Sequence, residues 1–194
     1  MAQHFTSLLD PALIALIQNG AVGVIPTDTV YGLVAMADSE SAISRMYTLK
    51  SRERQPGTTI GASAKQLQNL GFPEKSLCVA SAYWPDALSV EMSAAAIPSY
   101  LSANQLVMAA RVPNKPELVA LLTQTGPLMT TSANAPGAAT ATSIEMAIDY
   151  FGDLVDFYVD GGDLSGRPPS TIIGFDENHE IIIYREGPVK IKKT

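Results

Sequence analysis

The spacing of apolar residues in this chain keeps switching between a helical period and short strand-like runs. Asp10-Pro11 opens Ala12-Leu13-Ile14-Ala15-Leu16-Ile17, and Gly20 closes it. Asp suits a helix N-cap, Pro the first helical position and Gly the C-terminal stop, so a capped helix is predicted. The apolar run Ala21–Ile25 follows as a buried strand. Further helices are predicted over Ser39–Lys50, Ala64–Leu70, Glu74–Tyr83, Pro116–Thr123 and Ser143–Tyr150. Strands are predicted over Thr58–Ala62, Ala87–Met92, Gln105–Val112, Leu128–Thr131, Leu154–Val159, Thr171–Phe175 and Ile181–Arg185. The last two are joined by the polar stretch Asp176–Glu180, which reads as a hairpin. Helices alternating with strands predict an α/β or mixed α+β fold, with helices flanking a partly antiparallel sheet.

With 194 residues, 46% hydrophobic and 16% charged, the chain can bury one substantial core, and one domain spanning 1–194 is expected. No apolar run is long enough for a bilayer, and Met1–Ser7 carries no signal pattern, so a cytoplasmic location is expected. The single cysteine, Cys78, excludes an intrachain disulfide and a cysteine metal cluster. The net charge of −6 argues against a protein that coats nucleic acid, but leaves room for a local basic pocket. The two histidines, His4 and His179, lie in a terminal segment and a hairpin tip, which disfavours serine-hydrolase and zinc chemistry.

Five polar stretches fall at strand ends or in loops, where sites are commonly built. Thr27-Asp28-Thr29, with Tyr31, could bind a carboxylate or ammonium group, although local turn bonding accounts for the same residues. Lys50-Ser51-Arg52-Glu53-Arg54 crowds cations after a helix: Lys50 would favour the helix C-terminus, and Arg52 and Arg54 suit phosphate. Arg111, ending an apolar strand, needs a carboxylate or phosphate partner, and a structural salt bridge would also meet that need. Thr130-Thr131-Ser132-Ala133-Asn134 offers neutral donors. Thr142 follows, and Thr142–Glu145 also reads as a capping box. The Gly- and Pro-rich loop Gly161–Thr171, with Arg185 beyond it, has the make-up of a binding loop or plain surface. No paired carboxylates or nucleophile–base pair can be read from the sequence, so an enzyme of this kind would work by positioning and electrostatic stabilisation of a phosphate-centred reaction.

Taken in order, "PTDTVYGL", Lys-x-Arg after the next helix, Arg-x-Pro, "TSAN", Ser-Thr before an apolar strand and Arg-x-Gly resemble the YrdC-like threonylcarbamoyl-adenylate synthase family, in its short single-domain form. The resemblance runs from about Asp10 to Gly187. It implies a twisted mixed sheet flanked by helices, with a concave basic cavity. The implied activity is a nucleotidyltransferase that makes threonylcarbamoyl-adenylate and pyrophosphate from L-threonine, bicarbonate and ATP with Mg2+, for threonylcarbamoyladenosine in tRNA. A downstream transfer machinery for tRNA would be the partner. A non-catalytic or altered-substrate paralogue of this fold that binds RNA or nucleotide is the alternative. Carried over residue by residue, the resemblance puts Thr29, Arg111, Ser132 and Ser170 on the threonine side. It puts Lys50, Arg52, Asn134, Thr142 and Arg185 on the ATP side, with Lys50 and Arg52 stabilising charge at the α-phosphate.

One expectation follows for Arg52, with ATP as the nucleotide that the resemblance implies. If Arg52 holds phosphates, Arg52→Ala weakens ATP by ~1.5–3 kcal/mol, the range for a hydrogen bond to a charged group, with little change in the unfolding midpoint. Titration calorimetry and a melt check both, and unchanged ATP affinity would make Arg52 a surface charge only.

Overall fold

The computed structural model describes residues 1–50, 56–178 and 180–191. Among them, ten strands form one sheet. The strands are β1 (Gln3–Phe5), β2 (Gly23–Pro26), β3 (Tyr31–Met36), β4 (Thr58–Ile60), β5 (Leu88–Ser93), β6 (Val107–Arg111), β7 (Leu128–Ser132), β8 (Phe157–Val159), β9 (Thr171–Phe175) and β10 (Ile181–Arg185). Their order across the sheet is β1-β8-β2-β3-β7-β4-β6-β5-β9-β10. Parallel pairs (β1 with β8, β2 with β8, β4 with β6, β5 with β9) mix with antiparallel ones. The hairpins β2–β3 and β9–β10 are antiparallel, as are β3–β7, β4–β7 and β5–β6. The helices are α1 (Pro11–Gln18), α2 (Glu40–Leu49), α3 (Ala64–Asn69), α4 (Glu74–Ala80), α5 (Ser99–Ser102), α6 (Pro116–Thr125) and α7 (Ile144–Phe151). None of the described helices is long and apolar enough to cross a membrane.

Local chemistry sets the helix ends. The Asp10 carboxylate accepts from Ala12 N at 2.8 Å, Pro11 sits in the first turn, and Gly20, at φ +84°, turns the chain into the sheet. Ser39 caps α2 and Ser63 caps α3 in the same way.

The two faces of the sheet are covered unequally, and this creates the site. Side chains alternate between faces along each strand. Val24, Leu33, Ala35, Val90, Met108, Ala110, Met129 and Ile173 meet α2, α3, α4, α5 and α7 in one apolar layer. Ile25, Val34, Ile60, Leu128, Phe157 and Val159 face the other way, onto α1 and α6. The second layer stops part-way across the sheet. Beyond it, the positions alternating with the first core, such as Thr58, Ala109, Arg111 and Thr130, form the floor of an open cleft.

The strand-and-helix pattern expected from the sequence is present, with end shifts of a few residues. Three elements escape it. Strand β3 is YGLVAM, buried along nearly its whole length. A solid apolar run of this kind lacks alternation, and it starts where the turn-like Thr-Asp-Thr has just ended. Strand β1 and helix α5 have only 3 and 4 residues, too short for any period. The expected capping box at Thr142 is also displaced. Ser143 is the N-cap of α7, its hydroxyl accepting from Met146 N, while Thr142 offers its carbonyl to Leu164 N. The hairpin-tip residue His179 lies outside the described residues.

Gly23 stands beside Phe157 in the β2–β8 pair. A Cβ there would lie 2.4 Å from the Phe157 carbonyl oxygen and 2.4 Å from its ring. Gly23→Ala is therefore expected to destabilise the fold by ~1–3 kcal/mol, as overpacking does. Urea unfolding checks this, with a lower midpoint and an unchanged slope.

Candidate active-site cleft

The cleft encloses ≈ 420 Å³. Its walls include Thr29, Arg111, Ser132, Ser170 and Arg185, which are five of the residues singled out from sequence. Lys50, Asn134 and Thr142 stand outside its walls, and Arg52 lies outside the described residues.

Arg111 projects from the end of β6 and is 3% exposed. Its Nη2 meets Asp28 Oδ1 at 2.9 Å, and its Nη1 donates to Ser89 Oγ at 3.2 Å. Ser89 Oγ lies 3.0 Å from Ser170 Oγ, and that oxygen accepts from Arg185 Nη2 at 3.0 Å. Arg185 Nε also donates to the Ser170 carbonyl at 2.9 Å. Two guanidinium groups are thus joined through two serine hydroxyls. Desolvation lowers the Arg111 pKa, and Asp28 works against that shift. The Arg185 pKa is lowered by desolvation first and then by the charge of Arg111. Asp28 pairs with Arg111, and Arg185 forms none of the ion pairs among the described residues, so this end of the cleft suits an anion. Both Asp28 Oδ2 and Arg111 Nε are buried without a hydrogen-bond partner.

The loop between β2 and β3 forms the opposite lip. Thr27 Oγ1 donates to the Val30 carbonyl at 2.6 Å and accepts from Thr29 N at 3.1 Å. With its own proton engaged, it is the acceptor in the 3.0 Å contact with Thr29 Oγ1. The Thr29 hydroxyl then presents lone pairs to the cleft and can accept from a ligand N–H or O–H. Ser132 is arranged alike, because its hydroxyl donates to Asn134 Oδ1 at 2.6 Å. Between them, Gly32 keeps the floor open: a Cβ there would come within 2.4 Å of Thr130 Oγ1.

Lys50 and Asn134 hold the Ser132 loop from behind. Lys50 Nζ donates to the carbonyls of Ser132 (3.0 Å) and Asn134 (2.7 Å) and to Asn134 Oδ1 (2.7 Å). Asn134 Nδ2 donates to the carbonyls of Ala135 and Ala138. Tyr31, grouped with Thr27–Thr29 in the sequence, braces a different loop: its hydroxyl donates to the Gly162 carbonyl and accepts from Gly161 N. Burial, the largest influence, raises its pKa.

Sequence reading passed over Ser89, Glu91 and Thr58, and it did not see Asp28 as the partner of Arg111. The sequence Leu-Ser-Val-Glu-Met-Ser of β5 did carry a signal. Its apolar positions face the first core, which puts Ser89 and Glu91 on the other face. The Asp28–Arg111 pair has no local signature, because one member stands in the β2–β3 loop and the other at the end of β6, far apart in sequence.

The Sua5/YciO/YrdC family model, described as "Telomere recombination", matches residues 15–187. The chain belongs to this family. It is 32% identical over 168 residues to "Threonylcarbamoyl-AMP synthase" of Pseudoalteromonas translucida, covering 83% of this chain and 90% of that one. It is 28% identical to the protein of that name from Bacillus subtilis, over 91% of this chain and 53% of the relative. Among solved structures, Sua5 of P. abyssi complexed with L-threonine superposes with a TM-score of 0.82 at 25% identity, over 96% of this chain and 57% of the Sua5 chain. E. coli YciO shares the fold, with a TM-score of 0.84 at 23% identity over 100% of this chain and 99% of that one.

Within this Sua5/YciO/YrdC cleft, removing Asp28 would leave the Arg111 charge buried and unpaired. Asp28→Ala is expected to destabilise the protein by ~3–5 kcal/mol, and the double variant D28A/R111M to recover most of that loss. Denaturant unfolding of the two single variants and the double variant provides the check.

Proposed function

We propose that the protein is a nucleotidyltransferase that forms threonylcarbamoyl-adenylate and pyrophosphate from L-threonine, bicarbonate and ATP, for threonylcarbamoyladenosine modification of tRNA. One observation carries the reading: the linked guanidiniums of Arg111 and Arg185 face the acceptor hydroxyls of Thr29 and Ser132 across one cleft. The names of the relatives agree with it, as does the threonine held by the P. abyssi protein.

The chemistry suits such a site. The threonine amine condenses with bicarbonate to a carbamate, forming the C–N bond and releasing water, and a carbamate oxygen then attacks the α-phosphorus of ATP to form a new P–O bond. The bond from that phosphorus to the oxygen bridging to the β-phosphate breaks, and pyrophosphate leaves with the electron pair. Charge accumulates on phosphate oxygens, where fixed cations lower the barrier. Arg185 meets that demand, and Arg52 is assigned to the same side. Lys50 serves through Ser132 and Asn134 as a positioning residue. Thr29, Ser132, Ser170 and Arg111 hold the amino acid, the hydroxyls of Thr29 and Ser132 accepting from its donors. Asn134 and Thr142 are assigned to the nucleotide side from outside the cleft walls, Asn134 by holding the Ser132 loop.

Magnesium would arrive with ATP. No group of three or more His, Cys, Asp or Glu side chains that could hold an ion occurs among the described residues, and magnesium is commonly carried by substrate phosphates with one or two carboxylates. The ion supplies charge neutralisation at the phosphates. A reaction fed by ATP and consumed at tRNA belongs in the cytoplasm, where a downstream transfer machinery would be the partner.

Purified protein given threonine, bicarbonate, ATP and magnesium is expected to release pyrophosphate. Arg185→Ala should weaken ATP by ~1.5–3 kcal/mol and slow release while leaving the protein folded. No release above background, with ATP still bound, would sink the assignment.

A further inference from the structure

Glu91 lies on the cleft side of β5, and nothing above uses it. Cross-strand register places Glu91 opposite Ala109, Ala109 opposite Thr58, and Thr58 opposite Thr130. A single row of side chains thus crosses four neighbouring strands of the floor, and Glu91 ends it. Among the described residues lining the cleft, it is the one carboxylate. It takes part in none of the ion pairs among the described residues. It is half-buried, and desolvation raises its pKa with no opposing influence. Several of its neighbours on this face are apolar, with Ala109 directly opposite, Val107 two residues along β6 and Ile172 on the next strand, while Gln105 and Arg111 also line the cleft. A polar group desolvated without a partner is costly, so a ligand that reaches it with a hydrogen-bond donor is favoured.

We propose that Glu91 is a specificity-determining residue that accepts a hydrogen bond from the nucleoside part of the bound nucleotide, either the exocyclic amine of the base or a ribose hydroxyl. This rests on the nucleotide-binding reading above. An ionised carboxylate accepts and never donates. It repels phosphate, which has Arg185 to bind. The lip formed by Thr29 and Ser132 lies on other strands and already offers acceptors to the amino acid. The nucleoside is the remaining neutral part with donors, and its flat base suits a floor of Ala109, Val107 and Ile172. Adenine presents an amine where hypoxanthine presents a carbonyl. A carboxylate facing that carbonyl would lose its bond, and sites built to hydrogen-bond a group discriminate strongly against its absence.

Calorimetric titration of the full chain and of Glu91→Gln and Glu91→Ala separates the cases, using ATP, inosine triphosphate, 2′-deoxy-ATP, 3′-deoxy-ATP and threonine. Both substitutions leave an unpaired surface position, and a melt verifies folding. Glu91→Ala is expected to weaken ATP by about ten- to a hundredfold, the loss of one charged hydrogen bond, with threonine affinity unchanged. If the donor is the base amine, the unaltered protein prefers ATP to inosine triphosphate, Glu91→Ala erases the preference and Glu91→Gln shifts it toward inosine. If the donor is a ribose hydroxyl, a deoxy analogue behaves in this way instead. The inference is overturned if ATP binds Glu91→Ala as tightly as before or tighter, as a spectator or a phosphate-repelling carboxylate would allow. Equal loss for every nucleotide, or loss confined to threonine, overturns it as well. Failure of the unaltered protein to bind ATP overturns the nucleotide reading and this inference together, whereas normal ATP binding by Glu91→Ala overturns this inference alone.

Discussion

Arg111 carries a charge it cannot shed near neutral pH into a place almost without water. Such a charge needs a counter-charge within reach, and Asp28 supplies it across 2.9 Å. Asp28 stands in the loop between β2 and β3, while Arg111 ends β6, which two strands, β7 and β4, separate from β3 in the sheet order. Pairing them draws the loop over the concave face. The loop then carries Thr27 and Thr29 with it, and Thr27 fixes which way the Thr29 hydroxyl points. Buried ion pairs contribute little net stability, because desolvation offsets most of their attraction. The pair is therefore better understood as a fastener that sets the shape of the cleft. Its geometry agrees, since one oxygen of Asp28 and one nitrogen of Arg111 are left without partners.

Most of the fold was legible because periodicity reports burial. Helix α1 announced itself by Asp10, Pro11 and Gly20 as well as by its apolar face, and the structure retains each cap. Strand β3 was not legible for a physical reason: a strand covered on both faces has no polar side to alternate with. For the site, residue type was a good guide to position at Thr29, Arg111, Ser132, Ser170 and Arg185, all of which meet in the cleft. It was a poor guide to how each residue is engaged. Lys50 looked like a cation for phosphate, yet its ammonium is bound to three oxygens of the Ser132 loop. Thr142 looked like a helix cap, and Ser143 takes that place. Such assignments depend on which strands become neighbours, and no local window contains that information.

The hydrogen-bond directions in the loops bear on what the cleft can hold. Thr29 and Ser132 each direct a proton to a protein acceptor, Thr27 Oγ1 and Asn134 Oδ1. What remains toward the cleft is lone pairs, suited to a ligand's N–H and O–H groups. Arg185 and Arg111 offer donors and charge instead, suited to phosphate and carboxylate oxygens. One ligand set with both kinds of group, an amino acid beside a nucleotide, satisfies the two halves together.

The acidic chain and its cationic cleft are consistent because electrostatic forces on a small ligand act over short range. At physiological salt, screening limits the reach of exposed charges to roughly 8 Å. The surplus acids spread over the surface therefore count for little inside the cleft, where Arg111 and Arg185 are linked through Ser89 and Ser170. The same reasoning gives Glu91 weight beyond a single charge in a net of −6. It stands on the floor itself, partly withdrawn from water and level with Thr58 and Thr130. There its charge is screened less than a surface carboxylate's.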